Sequence, residues 1–475
     1  LRVYVICAEK SIFAFVVAMF IIGYLLLNVL IGIYAARRVK TDQDFILAGR
    51  RLSLPLAAAT VFATWFGSET VLGASSRFAE EGGSGLVEDP LGAALCLVLV
   101  GLFFARPLYR MNLNTFGDFY RLRFGKAAEL IAGSVLVISY IGWVSAQMVA
   151  MGLVLHTILP EVSVVAGILV STAVVVAYTI SGGMWSVSLT DFVQTIFIVA
   201  GLIVATVVVV NKAGGMETVL DHAPANSFDI LPDKSFTGIL EFVAAWISIG
   251  LGSIPQQDVF QRVMSSRSEK VAVRSSFLAA GMYMTIAFLP ILMVLAAKLL
   301  IATPADVQLT LPTLIMQQTG PVLQIFFFGA LLSAVMSTAS GALLAPAVIL
   351  SENILQHLRP AQTDKSRLLR TRLCVAGLAL VSVGMAIFRR DIAELVSEAS
   401  AISLVGLFVP LCTGLFLRST NSVAAMVSML AGMGVWFAFT LFPNSCPAMI
   451  WGTAASALGW VVVIVFQRTV WQNRR

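Results

Sequence analysis

Of the 475 residues, 59% are hydrophobic and only 12% charged, with a mean hydropathy of +0.92; an average soluble domain carries roughly 25% charged residues, so too few polar groups are present to clothe a water-soluble surface. The net charge of +6, from 31 basic and 25 acidic residues, sits in short clusters between apolar runs, which excludes the basic stripe and stacking aromatics of a nucleic-acid binder. Five cysteines (Cys7, Cys96, Cys374, Cys412, Cys446) at irregular spacing and three histidines (His156, His222, His357) without an HExxH exclude a disulfide framework or a zinc site.

A bilayer core takes about 20 apolar residues per helix, and the chain is read as one polytopic all-α integral membrane domain over 1–475 with about 13 transmembrane helices. Run 1 (11–34) lacks a small-residue cleavage site and is longer than a signal-peptide core, so it is expected to be retained as a leading helix in a chain that opens on Leu1. Run 2 (55–76) reads PLAAATVFATWFGSETVLGASS, interrupted near Gly67 with Ser68, Glu69 and Thr70 at depth. Run 3 (88–108) follows a Gly-rich loop at 82–85 that no GKS or GKT accompanies, so ATP is not the driver. Run 4 (127–159) holds Trp143 with Gln147 one turn on; run 5 (162–181) leads through SGG to run 6 (187–211), near whose start lies Asp191. Run 7 (236–256), within EFVAAWISIGLGSIPQQDVF, is loosened by Gly250, Gly252 and Pro255 and closes on Gln256 and Gln257. Run 8 (272–300) precedes run 9 (321–349), whose GALLSAVMSTASGALLAPAVIL sets Ser333, Ser337, Thr338 and Ser340 in an apolar helix. Runs 10 (369–388), 11 (394–417), 12 (421–442) and 13 (448–467) complete the series.

Most basic residues fall in alternate loops. Arg37, Arg38, Lys40, Arg50 and Arg51 follow run 1, and Arg106, Arg110, Arg121, Arg123 and Lys126 follow run 3. Arg262, Arg267, Lys270 and Arg274 follow run 7, and Arg359, Lys365, Arg367, Arg370 and Arg372 follow run 9; Arg418, Arg468, Arg474 and Arg475 lie on the same side. The positive-inside rule puts these loops in the cytoplasm, the N-terminus outside and the C-terminus inside.

Transporters place substrate and ion at the bilayer midplane on helices interrupted at matching positions of two repeats. If runs 2–6 and 7–11 form such five-helix repeats, the interruptions in runs 2 and 7 correspond. Carbonyls freed by a break must find partners or coordinate something, and a hard cation such as sodium wants several oxygens. The hydroxyls of run 9 fit that role, or serve close helix packing with hydroxyls bonded back to the preceding turn. Glu69, the one acid within run 2, is a functional candidate by its depth, or a hydrated residue pairing with Arg77. Trp65 and Trp143 are substrate contacts, packing or interfacial anchors; Gln256 and Gln257 are hydrogen-bonding partners for substrate or for freed backbone. Asp191 reads equally as a helix cap.

Four stretches in order resemble the sodium:solute symporter family across nearly the whole chain: ATWFGSETVLG (63–73), SGGMWSVSLTDFVQ (181–194), VFQRVMSSRSEKVA (259–272) and LLSAVMSTASGALL (331–344). The resemblance implies a LeuT-like 5+5 inverted repeat with extra flanking helices: a leading helix at about 11–34, repeats at about 55–211 and 236–417, and trailing helices at about 421–467. It also implies a co-transported sodium ion held by Ala63 and Phe66 carbonyls, the Ala334 carbonyl and the Ser337 and Thr338 hydroxyls, with Asp191 on the ion's path toward the cytoplasm. Trp65 and Trp143 resemble the choline-transporting branch of that family. Where that branch has an aromatic after Ile-Pro, this chain has Gln256. The expected substrate-binding set is Trp65, Glu69, Trp143, Gln147, Gln256 and Gln257.

The function expected is sodium-coupled import of a small organic solute, an organic cation or zwitterion first, by alternating access in a plasma (inner) membrane, with solute and lipid as partners and no nucleic acid. A proton-coupled carrier using Glu69 and Asp191 is the alternative, and a transporter-like membrane sensor a more distant one. An enzyme is not expected, because no metal cluster, nucleophile elbow or paired catalytic carboxylates appear.

Overall fold

The computed structural model describes residues 2–417, 421–442 and 446–472, and the side chains of all of these except 2–15, 17–18 and 470–472. Leu1, Arg418, Arg474 and Arg475, and the side chain of Cys7, therefore lie outside the described residues. Among the described residues the regular secondary structure is helical, apart from one isolated parallel bridge between Leu52 and Ser266.

Among the described residues, ten helices are long and apolar enough to cross a membrane, or eleven if the bent pair Phe236–Gly252 and Gln257–Ser265 counts as one span. The thirteen runs expected from hydropathy are thus not matched one to one, and the breaks explain the difference. Runs 5 and 6 form one 49-residue helix, Val164–Lys212, that kinks at Gly183 (φ 51°, ψ −135°). Only glycine suits that position: its φ is left-handed, and a Cβ there would lie 2.4 Å from the Phe45 carbonyl oxygen. The first half of run 2, Leu54–Trp65, is too short to span alone, and its second half continues into run 3 as an irregular stretch, Glu69–Met111.

Run 9 occupies the centre. Its helix, Pro321–Ile349, continues to Leu358, and 83% of its most apolar window is buried, against 28% for Ser422–Leu441 and 17% for Ala448–Thr469. A helix apolar all round must be covered all round, and run 9 packs on Val164–Lys212, Lys126–Ile158 and Leu54–Trp65. The peripheral helices turn large apolar side chains outward, Leu458, Val462 and Phe466 among them, as a lipid-facing surface should. Short helices at the loops are closed by capping boxes, Thr41 with Asp44 and Thr115 with Asp118.

Candidate functional site

The break in run 2 is local in origin. Its first half starts after Ser53 with Pro55 in the first turn, where a missing N–H is harmless. It ends at Trp65, because Phe66 adopts φ −91°, ψ 74°, outside the helical region. Helical backbone resumes at Ser68 and widens into a π turn over Glu69–Gly73. Freed groups are taken up by side chains from elsewhere: Ser68 N donates to Gln147 Oε1 (3.0 Å), and Ala63 O accepts from Thr338 Oγ1 (3.3 Å). Gly67 makes that approach possible, since a Cβ on it would sit 2.5 Å from both Thr338 Oγ1 and Glu69 Oε2.

Run 9 turns neighbouring hydroxyls to different tasks. Thr338 faces the break; Ser337 Oγ donates to Asp191 Oδ1 at 2.7 Å, and Asp191 Oδ2 accepts from Thr60. Ser340 bonds back to Ser337 O (2.9 Å), and Ser333 to Gly329 O (2.6 Å) and the Tyr24 hydroxyl (2.6 Å), so both are satisfied away from the break. Of the five residues expected to hold an ion, Ala63 and Thr338 touch, Phe66 is the non-helical residue itself, and Ser337 adjoins through Asp191. Ala334 is fully buried one turn before Thr338 on the same face. Asp191 is not a helix cap: it lies fully buried inside Val164–Lys212, eight positions beyond the Gly183 kink.

Beyond the break lies a narrow cavity lined by Trp65, Glu69, Trp143 and Gln256 together with Asp89, Ile249, Ser253, Tyr283 and Val396. Glu69 accepts from Gln147 Nε2 (2.8 Å) and Trp143 Nε1 (3.3 Å). Gln147 is thus a clamp under the site, bridging Glu69 and Ser68, rather than a wall of it. Gln257 departs from expectation: its Oε1 accepts from Phe116 N at 2.7 Å, tying the second half of run 7 to the loop helix Phe116–Phe124, away from the cavity. Gln256 stays at the cavity and reaches Ser403 Oγ at 3.4 Å.

Two participants were not singled out from sequence. Asp89, grouped there with an acidic outer face, is buried in the cavity wall and accepts from the Tyr283 hydroxyl at 2.7 Å. The same hydroxyl lies 3.1 Å from the Trp65 carbonyl and pairs with Thr70, fastening the break from the side of run 8. The usable signal was an acid–proline pair, Asp89-Pro90, opening an otherwise apolar run, and the one tyrosine in run 8. No basic side chain is among the residues lining this cavity. Next to it a second chamber, on the side that the basic loops lead one to expect as the outer one, shares Glu69, Asp89, Ile249 and Val396 and adds Arg77 and Glu88, which form an ion pair; Glu88 Oε1 also accepts from Ser248 Oγ at 2.6 Å.

A sequence profile of the sodium:solute symporter family matches residues 45–432. The chain belongs to the sodium:solute symporter family. The symporter is 28% identical over 446 residues to the high affinity choline transporter 1 of Homo sapiens, covering 87% of this chain and 75% of the relative. It is 29% identical over 425 residues to the high-affinity proline transporter PutP of Bacillus subtilis (strain 168), covering 85% and 88%. In fold it is similar to a Na+-coupled sialic acid symporter in a substrate-bound outward-open state, with TM-score 0.83, 20% identity, and 95% and 98% of the two chains covered. It also resembles a nucleobase-cation-symport-1 family transporter in a closed conformation, at TM-score 0.59 and 18% identity over 90% and 95%. The symporter is therefore an all-helical, LeuT-like membrane transporter and not an enzyme, of a family that co-transports sodium.

Proposed function

We propose that this symporter imports a small organic solute on a sodium gradient by alternating access. The observation that carries the reading is the break at Phe66–Gly67 lying directly against Thr338 of the central helix, so that carbonyls of one broken helix and hydroxyls of run 9 converge. Ala63, Phe66 and Ala334 carbonyls with the Ser337 and Thr338 hydroxyls make an all-oxygen set suited to a hard monovalent cation. Asp191, sharing Ser337, offers the next negative charge toward the cytoplasm. Trp65, Glu69, Trp143 and Gln256 form the solute cavity, with Gln147 behind them. Sodium and solute share the run 2 break, so each stabilises the ordering that the other needs, and coupling is reciprocal.

The same reading divides the helices at Gly183 and at the run 2–run 3 boundary into thirteen spans, N-terminus outside and C-terminus cytoplasmic, in an inner membrane. The two relatives are named for choline and proline, which is in keeping with a small organic cation or zwitterion as cargo.

Uptake of candidate solutes into proteoliposomes with an inward sodium gradient, compared with potassium, is the test. Sodium-dependent accumulation is expected, and Ser337→Ala with Thr338→Ala should lower apparent sodium affinity roughly tenfold or more while leaving purified yield intact. Uptake that follows pH and ignores sodium would instead favour a proton-coupled carrier using Glu69 and Asp191.

A further inference from the structure

We propose that the cavity selects a cation bearing N–H donors, a protonated primary or secondary amine with a hydroxyl nearby, anchored on Asp89, in preference to a quaternary ammonium. This rests on the reading of the cavity as the solute site.

The argument is an inventory of what the walls leave unmatched. Both oxygens of Glu69 already accept, from Trp143 and Gln147. Glu69 therefore supplies charge, with each of its oxygens already holding one partner. Asp89 differs. It is 6% exposed, its Oδ1 accepts from Tyr283, and its Oδ2 has no partner. Gln256, 2% exposed, leaves its Oε1 without a partner as well. Trp65 Nε1 is an unpartnered donor on the same cavity. Buried polar groups are almost always matched, and each unmatched one asks what pairs with it.

Charge narrows the answer. Two carboxyl groups line the cavity with no basic residue beside them; Arg77, in the outer chamber, is committed to Glu88. Sealing carboxylates from water without a counter-charge is strongly unfavourable, so the occupant carries net positive charge, and a carboxylate on it would undo the match. Hydrogen bonding narrows it further. A trimethylammonium group could lie against Trp65 and Trp143, but it has no N–H and would strand Asp89 Oδ2 and Gln256 Oε1 dry. A protonated amine satisfies both, keeps the attraction to the rings, and a neighbouring hydroxyl can accept from Trp65. A site built around unmatched acceptors discriminates against an analogue lacking the donors far more strongly than an apolar pocket separates methyl groups.

The experiment uses the full-length purified protein and thermal-shift titrations in sodium and in potassium. The ligands are ethanolamine with its mono-, di- and trimethyl derivatives (the last being choline), and propanolamine with its trimethylammonium counterpart. Apparent affinity is expected to fall about tenfold or more from the protonated amine to the quaternary member of each set. Asp89→Asn should weaken ethanolamine by a similar factor and flatten the series, while the solute-free stabilisation by sodium persists and so reports a folded protein. Quaternary members that bind as tightly as the amines, a series left unchanged by Asp89→Asn, or no binding by any amine would each overturn the proposal. Sodium coupling is judged separately, by the sodium-over-potassium shift without solute. If that shift is missing, the sodium reading fails, and the methylation series run in potassium still decides this one.

Discussion

Gly67 and Thr338 meet because the glycine has no side chain to hold them apart. With a methyl group there, the 2.5 Å clash involves both the threonine hydroxyl and the Glu69 carboxyl, and relieving such overpacking costs about 1–3 kcal/mol. Gly67→Ala should therefore lower sodium affinity about ten- to a hundredfold in an uptake assay, with the protein still extractable and folded, since the clash is confined to the break. A second residue-scale expectation concerns pH. Asp42, in the loop helix Asp42–Leu47 before run 2, has its carboxyl pushed up to about 7, by burial first and by the nearby Glu352 second, with Arg367 and Arg370 opposing. A carboxyl raised in the fold binds its proton more tightly there than in the unfolded chain, so it withdraws stability as pH rises from about 4 to about 7 and no further above that. Asp42→Asn should match the wild type in thermal unfolding near pH 4 and exceed it at pH 8; equal melting at both would remove Asp42 from the account.

At the scale of elements, an ion pair spans the outer chamber and would serve as its latch. Arg77 near the outer end of run 2 pairs with Glu88 at the head of run 3, and Glu88 holds Ser248 of run 7. Hydrogen bonds to charged groups contribute about 1.5–3 kcal/mol, so Glu88→Gln should shift the population toward an outward-open form. A cysteine placed at Ala74, which lines that chamber, should then react severalfold faster with an impermeant thiol reagent; an unchanged rate would show that the latch does not hold the door. The broken helices and the central hydroxyl helix were legible in the sequence, because glycine, proline and clustered hydroxyls stand out in apolar runs. What was not legible depended on distance in the chain. The partner of Gln257 is a backbone amide 141 residues away, and nothing local marks it. Asp89 looks like an outer-loop acid to any average over a window, since hydropathy carries no information on which way a residue at a run's edge is turned. Asp191 follows a threonine before an apolar stretch and so mimics a cap, yet the helix passes straight through it. The count of spans slipped for a related reason: a helix that bends without ending, as at Gly183, is one element by hydrogen bonding and two by hydropathy.

For the molecule as a whole, the distribution of basic loops makes orientation testable. In a cysteine-free background, single cysteines at Gln43 and Lys365 should resist an impermeant reagent in intact cells, whereas one at Glu217 should label; all three positions are exposed, so failure to react reports sidedness and not burial. The reverse pattern would invert the topology. The central position of run 9, buried among the two helices that carry Asp191 and Trp143 and the first half of run 2, brings its hydroxyls against the break in run 2, while the cavity beyond that break is walled by other helices. One small feature bears on how these parts travel. Leu52, two residues before the first broken helix, exchanges backbone hydrogen bonds with Ser265 (3.0 Å) and Arg267 (3.0 Å), at the inner end of the second. A rivet of this kind joins the inner tips of both discontinuous helices into a single lever. In the alternating access proposed above, those two tips would travel as one piece, so that the floor beneath the cargo would shift whole, with neither jaw prised from the other.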